Sequence, residues 1–217
     1  MTKVASSSEL VHVGSGKARL AGMLELPPHP YGLVLFAHGG GSDRLPPRNS
    51  YLAGELRRAR MGTLLLELLS RDEDRDERHR FDIGLLGARL GDAARWLAQQ
   101  PQTRELALGL FGASTGAAAA LQLAADHPEQ IAAVVSRSGR PDLAASDDLA
   151  RVLAPTLLIV GGEDHTVVEL NRQALRDLNC EKELVVVRGA THLFEEPDAL
   201  AEVARLAVRW FKGYLGA

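Results

Sequence analysis

Short apolar runs alternate along this chain with longer stretches in which apolar residues recur every three or four positions. The runs are ELVHV and ARLAGMLEL, then GLVLFAH, GTLLLELL, ELALGLFG and IAAVVSR, and finally PTLLIVGG and KELVVVRG. Their apolar, β-rich character predicts about eight strands, the first two forming a hairpin. The stretches of helical period predict helices over Arg48 to Arg60, Phe81 to Gln99, Thr115 to His127, Val167 to Leu178 and Ala199 to Leu215. Strands alternating with helices define an α/β fold class, a mostly parallel sheet with helices on both faces. The strand C-termini then share one edge, and ligands of such sheets bind just beyond it.

No linker, repeat or low-complexity tract interrupts the pattern, so residues 1–217 are expected to form one domain. Between Arg137 and Pro155 there is room for one short helix, which leaves no space for a large lid. The run RDEDRDERHR at 71–80 mixes acids and arginines almost evenly and reads as a solvated loop leading into a helix.

Composition narrows the function classes. Hydrophobic residues at 46% and charged residues at 24% are those of a globular chain that folds without a partner. A net charge of -3 provides no field to gather phosphates, so nucleic acid is not an expected ligand. Cys180 is the single cysteine and cannot form an internal disulfide. The opening MTKVASSSEL lacks the apolar core of a secretory signal, and no run approaches the roughly 18–20 apolar residues that span a bilayer. The expectation is a cytoplasmic protein with no membrane span, a monomer or a small homo-oligomer.

The chemistry concentrates in Gly112-Ala113-Ser114-Thr115-Gly116, between the run LALGLF and the alanine-rich stretch AAAALQLAADH. Strand, tight turn and helix are the context of a nucleophile elbow, in which small flanking residues let strand and helix backbones approach closely. A serine hydroxyl is a weak nucleophile and needs a base oriented by a third group. Asp164, in GGEDH after PTLLIV, and His192, in GATHLF after ELVVV, supply that pair in the order Ser, Asp, His. Glu163 is the competing acid, one residue closer to the strand. His12, His29, His79, His127 and His165 have no matching context and default to surface or capping roles. His38 opens the segment His38-Gly39-Gly40-Gly41-Ser42, whose glycines suit backbone donors for an oxyanion. The expected oxyanion hole combines the N–H of Thr115 with that of Gly40, Gly39 being the alternative. Cys180 lies away from these positions. The histidines and carboxylates show no metal-ligand spacing, so neither a metal nor another cofactor is expected.

With these motifs in view the chain resembles the dienelactone hydrolase-like branch of the α/β-hydrolases. The likeness is carried by LFAHGGGS, PPRNSYLA, GTLLLELLSRDE, RFDIGLL, GASTGAAAAL, RSGRPDLA, TLLIVGGEDHTVVELN and GATHLFEEP. Dienelactone hydrolase itself is known for a cysteine nucleophile, where this chain has Ser114. The resemblance therefore implies a serine carboxylesterase acting through an acyl-enzyme rather than a dienelactone-cleaving enzyme. Without a lid to form an apolar trough, short soluble esters are the expected substrates. A thioesterase or acyltransferase with the same triad, or a non-catalytic binding member of the fold, are the competing readings.

Overall fold

Leu33, Leu35 and Ala37 pack on one side of a central sheet, while Val34 and Phe36 between them pack on the other. That alternation is the period-two geometry of a strand covered on both faces. It repeats through the sheet in the computed structural model, which describes residues 6–38 and 47–216.

The strands are β1 (Ser7–Ser15), β2 (Ala18–Leu26), β3 (Gly32–His38), β4 (Met61–Glu67), β5 (Ala107–Ala113), β6 (Ile131–Arg137), β7 (Thr156–Gly161) and β8 (Lys182–Val187). They form one sheet in the order β1-β2-β4-β3-β5-β6-β7-β8. β1 pairs with β2 and β2 with β4 antiparallel, and the remaining neighbours are parallel. The α/β class is therefore as the alternation of runs implies.

The helices are α1 (Pro47–Arg58), α2 (Glu77–Arg80), α3 (Ile83–Gln99), α4 (Thr115–Asp126), α5 (Ser146–Arg151), α6 (His165–Asp177) and α7 (Ala199–Leu215). Side chains of α3, α4, α5 and α6 bury against one face of the sheet. Those of α1 and α7 bury against the other. On that second face Phe36 and Phe111, from adjacent strands, stack with ring centroids 4.9 Å apart, an offset arrangement that adds to the burial of both rings. Only a 3-10 turn over Pro141–Leu143 and the six-residue α5 join β6 to β7, so no large lid covers the sheet edge there.

The charged run after β4 has no buried residue, as its composition predicts, but it is helical rather than a plain loop. It forms a 3-10 turn at Glu73–Arg75 followed by α2. Glu73 folds inward onto Arg89 of α3, whose side chain is only 6% exposed. The same guanidinium donates to the Leu68 carbonyl at 2.6 Å. A buried arginine requires a partner, and the acidic run provides it.

Candidate active site

Ser114 sits in the turn between β5 and α4 with φ 52° and ψ −123°. A residue with a side chain occupies that region at a cost of about 1–3 kcal/mol and holds it only when its surroundings over-determine it. Here they do. The Ser114 N–H donates to the Arg137 carbonyl at 3.3 Å, and the Ser114 carbonyl accepts N–H groups from Ala117 and Arg140, both at 3.1 Å. Gly112 makes the turn sterically feasible, because a Cβ there would lie 2.8 Å from both the Ala117 nitrogen and the Gly116 oxygen. Thr115 opens α4, so its N–H has no acceptor within the helix and lies at the positive end of the helix dipole.

Asp164 follows β7 and caps α6, one carboxylate oxygen accepting the Val167 N–H at 3.3 Å. Its other oxygen lies 2.6 Å from Nδ1 of His192, in the loop after β8. An ionised carboxylate only accepts, so Nδ1 carries the hydrogen and a neutral imidazole presents a lone pair at Nε2. The approach of the two loops depends on Gly161. A Cβ at that position would run into the carbonyl oxygens of Ala190 and Thr191. The Glu163 N–H donates to the Ala190 carbonyl at 3.0 Å and holds the loops together. Beyond His192, buried Phe194 anchors the loop in the α1/α7 core, and Glu195 pairs with Arg48 at the start of α1.

The structure thus brings Asp164 and His192 into direct contact. It puts Ser114 and Thr115 on the same edge of the sheet, at the end of β5. Glu163 is exposed and contributes backbone rather than side chain. Gly39 and Gly40, the expected donors from the glycine loop, lie outside the described residues. Cys180 is half-buried beside Thr156, and burial pushes its thiol pKa upward. Among the described residues no group of three or more His, Cys, Asp or Glu is placed to hold a metal ion, and no helix is long and apolar enough to cross a membrane.

One residue at this edge goes unremarked in the sequence. Arg137 ends β6 beside Ala113 and is only 9% exposed. Its Nε and Nη1 have no hydrogen-bond partner among the described residues. Burial, with Arg48 nearby, pulls its pKa down to about 10, so it stays a cation at neutral pH. Nothing in the run IAAVVSR distinguishes it from an arginine exposed at a strand end.

A lidless, mostly parallel sheet carrying a serine elbow and an Asp–His pair at its C-terminal edge defines an α/β hydrolase. The sequence profile of the dienelactone hydrolase family matches residues 70–214, and the chain belongs to that family. It is 51% identical to a dienelactone hydrolase from Anabaena variabilis of known crystal structure, with a TM-score of 0.92 over 97% of this chain and 99% of that one. A lidless α/β serine hydrolase from Xanthomonas campestris shares the fold at 20% identity and a TM-score of 0.79, covering 97% of this chain and 96% of that one. Proteins from two Mycobacterium tuberculosis strains that carry a provisional phosphoribosyl transferase name are each 53% identical over 95% of this chain. The chain spans about half the length of these curated relatives, 46% in each case.

Proposed function

We propose that this chain is a serine hydrolase that cleaves carboxylic ester bonds of small, soluble substrates through an acyl-enzyme. The observation that carries this reading is the 2.6 Å contact between His192 Nδ1 and Asp164 on the sheet edge where Ser114 occupies its strained turn. In the first step His192 Nε2 takes the hydroxyl proton as Ser114 Oγ bonds to the ester carbonyl carbon. The carbonyl π pair moves onto oxygen, where the Thr115 N–H and a donor from the glycine loop, Gly40 or Gly39, would hold it. Collapse of that intermediate breaks the bond to the leaving alkoxide, which receives the proton from His192. Water, deprotonated by the same imidazole, then releases the acid and restores Ser114. Asp164 keeps the hydrogen on Nδ1 and stabilises the imidazolium. No cofactor takes part in these steps.

Membership of the dienelactone hydrolase family supports hydrolysis, and Ser114 in place of a cysteine favours simple esters. The transferase name belongs to proteins about twice as long as this chain. A fluorophosphonate probe tests the reading. It should label the native protein at Ser114 and leave Ser114→Ala unlabelled, in parallel with hydrolysis of p-nitrophenyl acetate. An unlabelled native protein, or an active Ser114→Ala variant, would overturn it.

A further inference from the structure

Arg137 is a buried cation whose Nε and Nη1 have no hydrogen-bond partner among the described residues. Strand alternation places Ala133, Val135 and Arg137 on one face of β6. Ala133 and Val135 pack in the same core cluster as Ala190 and Phe194, two residues either side of His192. The Arg137 backbone carbonyl, meanwhile, accepts the N–H of Ser114. Arg137 is therefore tied to the nucleophile through its main chain, and its side chain lies on the face where the histidine loop is anchored.

Most of the described charged groups around this end of the face are engaged. Arg48 on α1 carries the same sign and pairs with Glu195. Asp164 is held by His192 and the Val167 N–H. Glu196 bonds within its own loop, to Thr191, and keeps its Oε2 buried without a hydrogen-bond partner. Arg140, just beyond β6, pairs with Asp142. A buried guanidinium with unsatisfied N–H groups is costly in a resting protein, and departures of this kind from good packing concentrate at functional sites.

The proposed reaction creates one negative charge on this edge. As the bond from Ser114 Oγ to the carbonyl carbon forms, the proton passes to His192 and the π pair becomes an oxyanion. We propose that Arg137 is the fixed counter-charge for this anion, acting through space rather than by contact. The inference rests on the Ser114 reading. A cation so placed favours the tetrahedral intermediate. It is a positioning charge, not a group that touches substrate.

The test compares Arg137→Met, Arg137→Gln and Arg137→Lys with the native protein, measuring kcat and KM on a neutral ester such as p-nitrophenyl acetate. The two neutral variants should lose about 10- to 100-fold in kcat with little change in KM, the range seen when electrostatic support for an oxyanion is weakened. Fluorophosphonate labelling, which also passes through an anionic centre, should slow in parallel. Arg137→Lys should recover most of the rate, because a point charge suffices where no bidentate contact is made. A purely structural role would slow all three variants together, without rescue by lysine, and that result overturns the proposal. So does a loss confined to KM for esters bearing a carboxylate, which would mean that the guanidinium meets an anion on the substrate instead. If either neutral variant fails to fold, the other and the lysine variant still decide. An active Ser114→Ala variant would instead remove the underlying reading, so the two failures are distinguishable.

Discussion

Arg89 and Glu73 form a two-pronged ion pair, Nη2 to Oε1 at 2.6 Å and Nη1 to Oε2 at 2.8 Å, that ties α3 to the segment leaving β4. Hydrogen bonds from Arg89, followed by those from Ser70, hold the Glu73 pKa down to about 2 from its ordinary 4.5. Glu73→Gln should cost about 2 kcal/mol, less than for a fully buried pair because the carboxylate keeps some access to water. For a chain of this length that lowers Tm by roughly 4–8 °C. The carboxylate is favoured in the folded state, so the stabilisation is complete above the unfolded value of 4.5 and is lost as pH falls from there through about 2. Urea midpoints of native and Glu73→Gln protein at neutral pH and at successively lower pH should converge on acidification. A gap that persists unchanged at the lowest pH would mean that the pair is not the origin.

This pair also shows where sequence reading stops. The strands were visible because a buried parallel strand has to be apolar over its whole length, and GLVLFAH and IAAVVSR coincide with β3 and β6. Their order across the sheet was not visible, since it depends on pairings between distant segments. The start of α6 at His165 rather than Val167 reflects Asp164, whose capping bond belongs to a residue singled out for another purpose. The run 71–80 stays wet as its alternating charges imply, with no buried residue in its turns. Glu73 folds inward only because Arg89, sixteen residues away, needs it. Arg137 was hidden for the opposite reason, being a polar residue buried with two nitrogens unpaired among the described residues. The Asp–His pair was legible because each residue follows an apolar run in the order that the chemistry demands.

Gly112 should tolerate no side chain. The atoms a methyl group would meet, Ala117 N and Gly116 O among them, belong to the backbone of the first turn of α4, which cannot swing aside as a flexible side chain would. Gly112→Ala should therefore destabilise by about 3 kcal/mol. It should also inactivate, because relieving the clash displaces Ser114. Chemical denaturation and ester hydrolysis should fail together. A variant of native stability and activity would show that the strand–helix approach is looser than the geometry implies.

The left-handed φ of Ser114 predicts that function is held against stability. Ser114→Ala keeps the strain and removes only the hydroxyl, so its stability should stay within about 0.5 kcal/mol of native. Ser114→Gly removes the strain as well and should gain about 1 kcal/mol, the glycine's larger unfolded-state entropy offsetting part of the relief. Both should be inactive. Thermal unfolding of the three proteins side by side gives the order, and a glycine variant less stable than the alanine variant would contradict the strain.

Asp164 has two separable roles, and one substitution should divide them. Asn caps helices about as well as Asp, so Asp164→Asn should preserve the bond from the Val167 N–H and leave stability within about 1 kcal/mol of native. The other oxygen fixes the hydrogen on Nδ1 of His192. An amide in its place can donate to Nδ1, which moves the hydrogen to Nε2 and removes the lone pair that must accept the Ser114 proton. The rate should then fall about 10⁴-fold, as expected when the imidazole is held in the wrong tautomer. Glu163→Gln should remain within a few-fold of native, because Glu163 holds the loop through its backbone N–H to Ala190. Steady-state kinetics and thermal unfolding of both variants provide the comparison. A severe loss in Glu163→Gln with a mild one in Asp164→Asn would transfer the acid's role to Glu163, whereas equal losses of stability and rate in Asp164→Asn would reduce Asp164 to a helix cap.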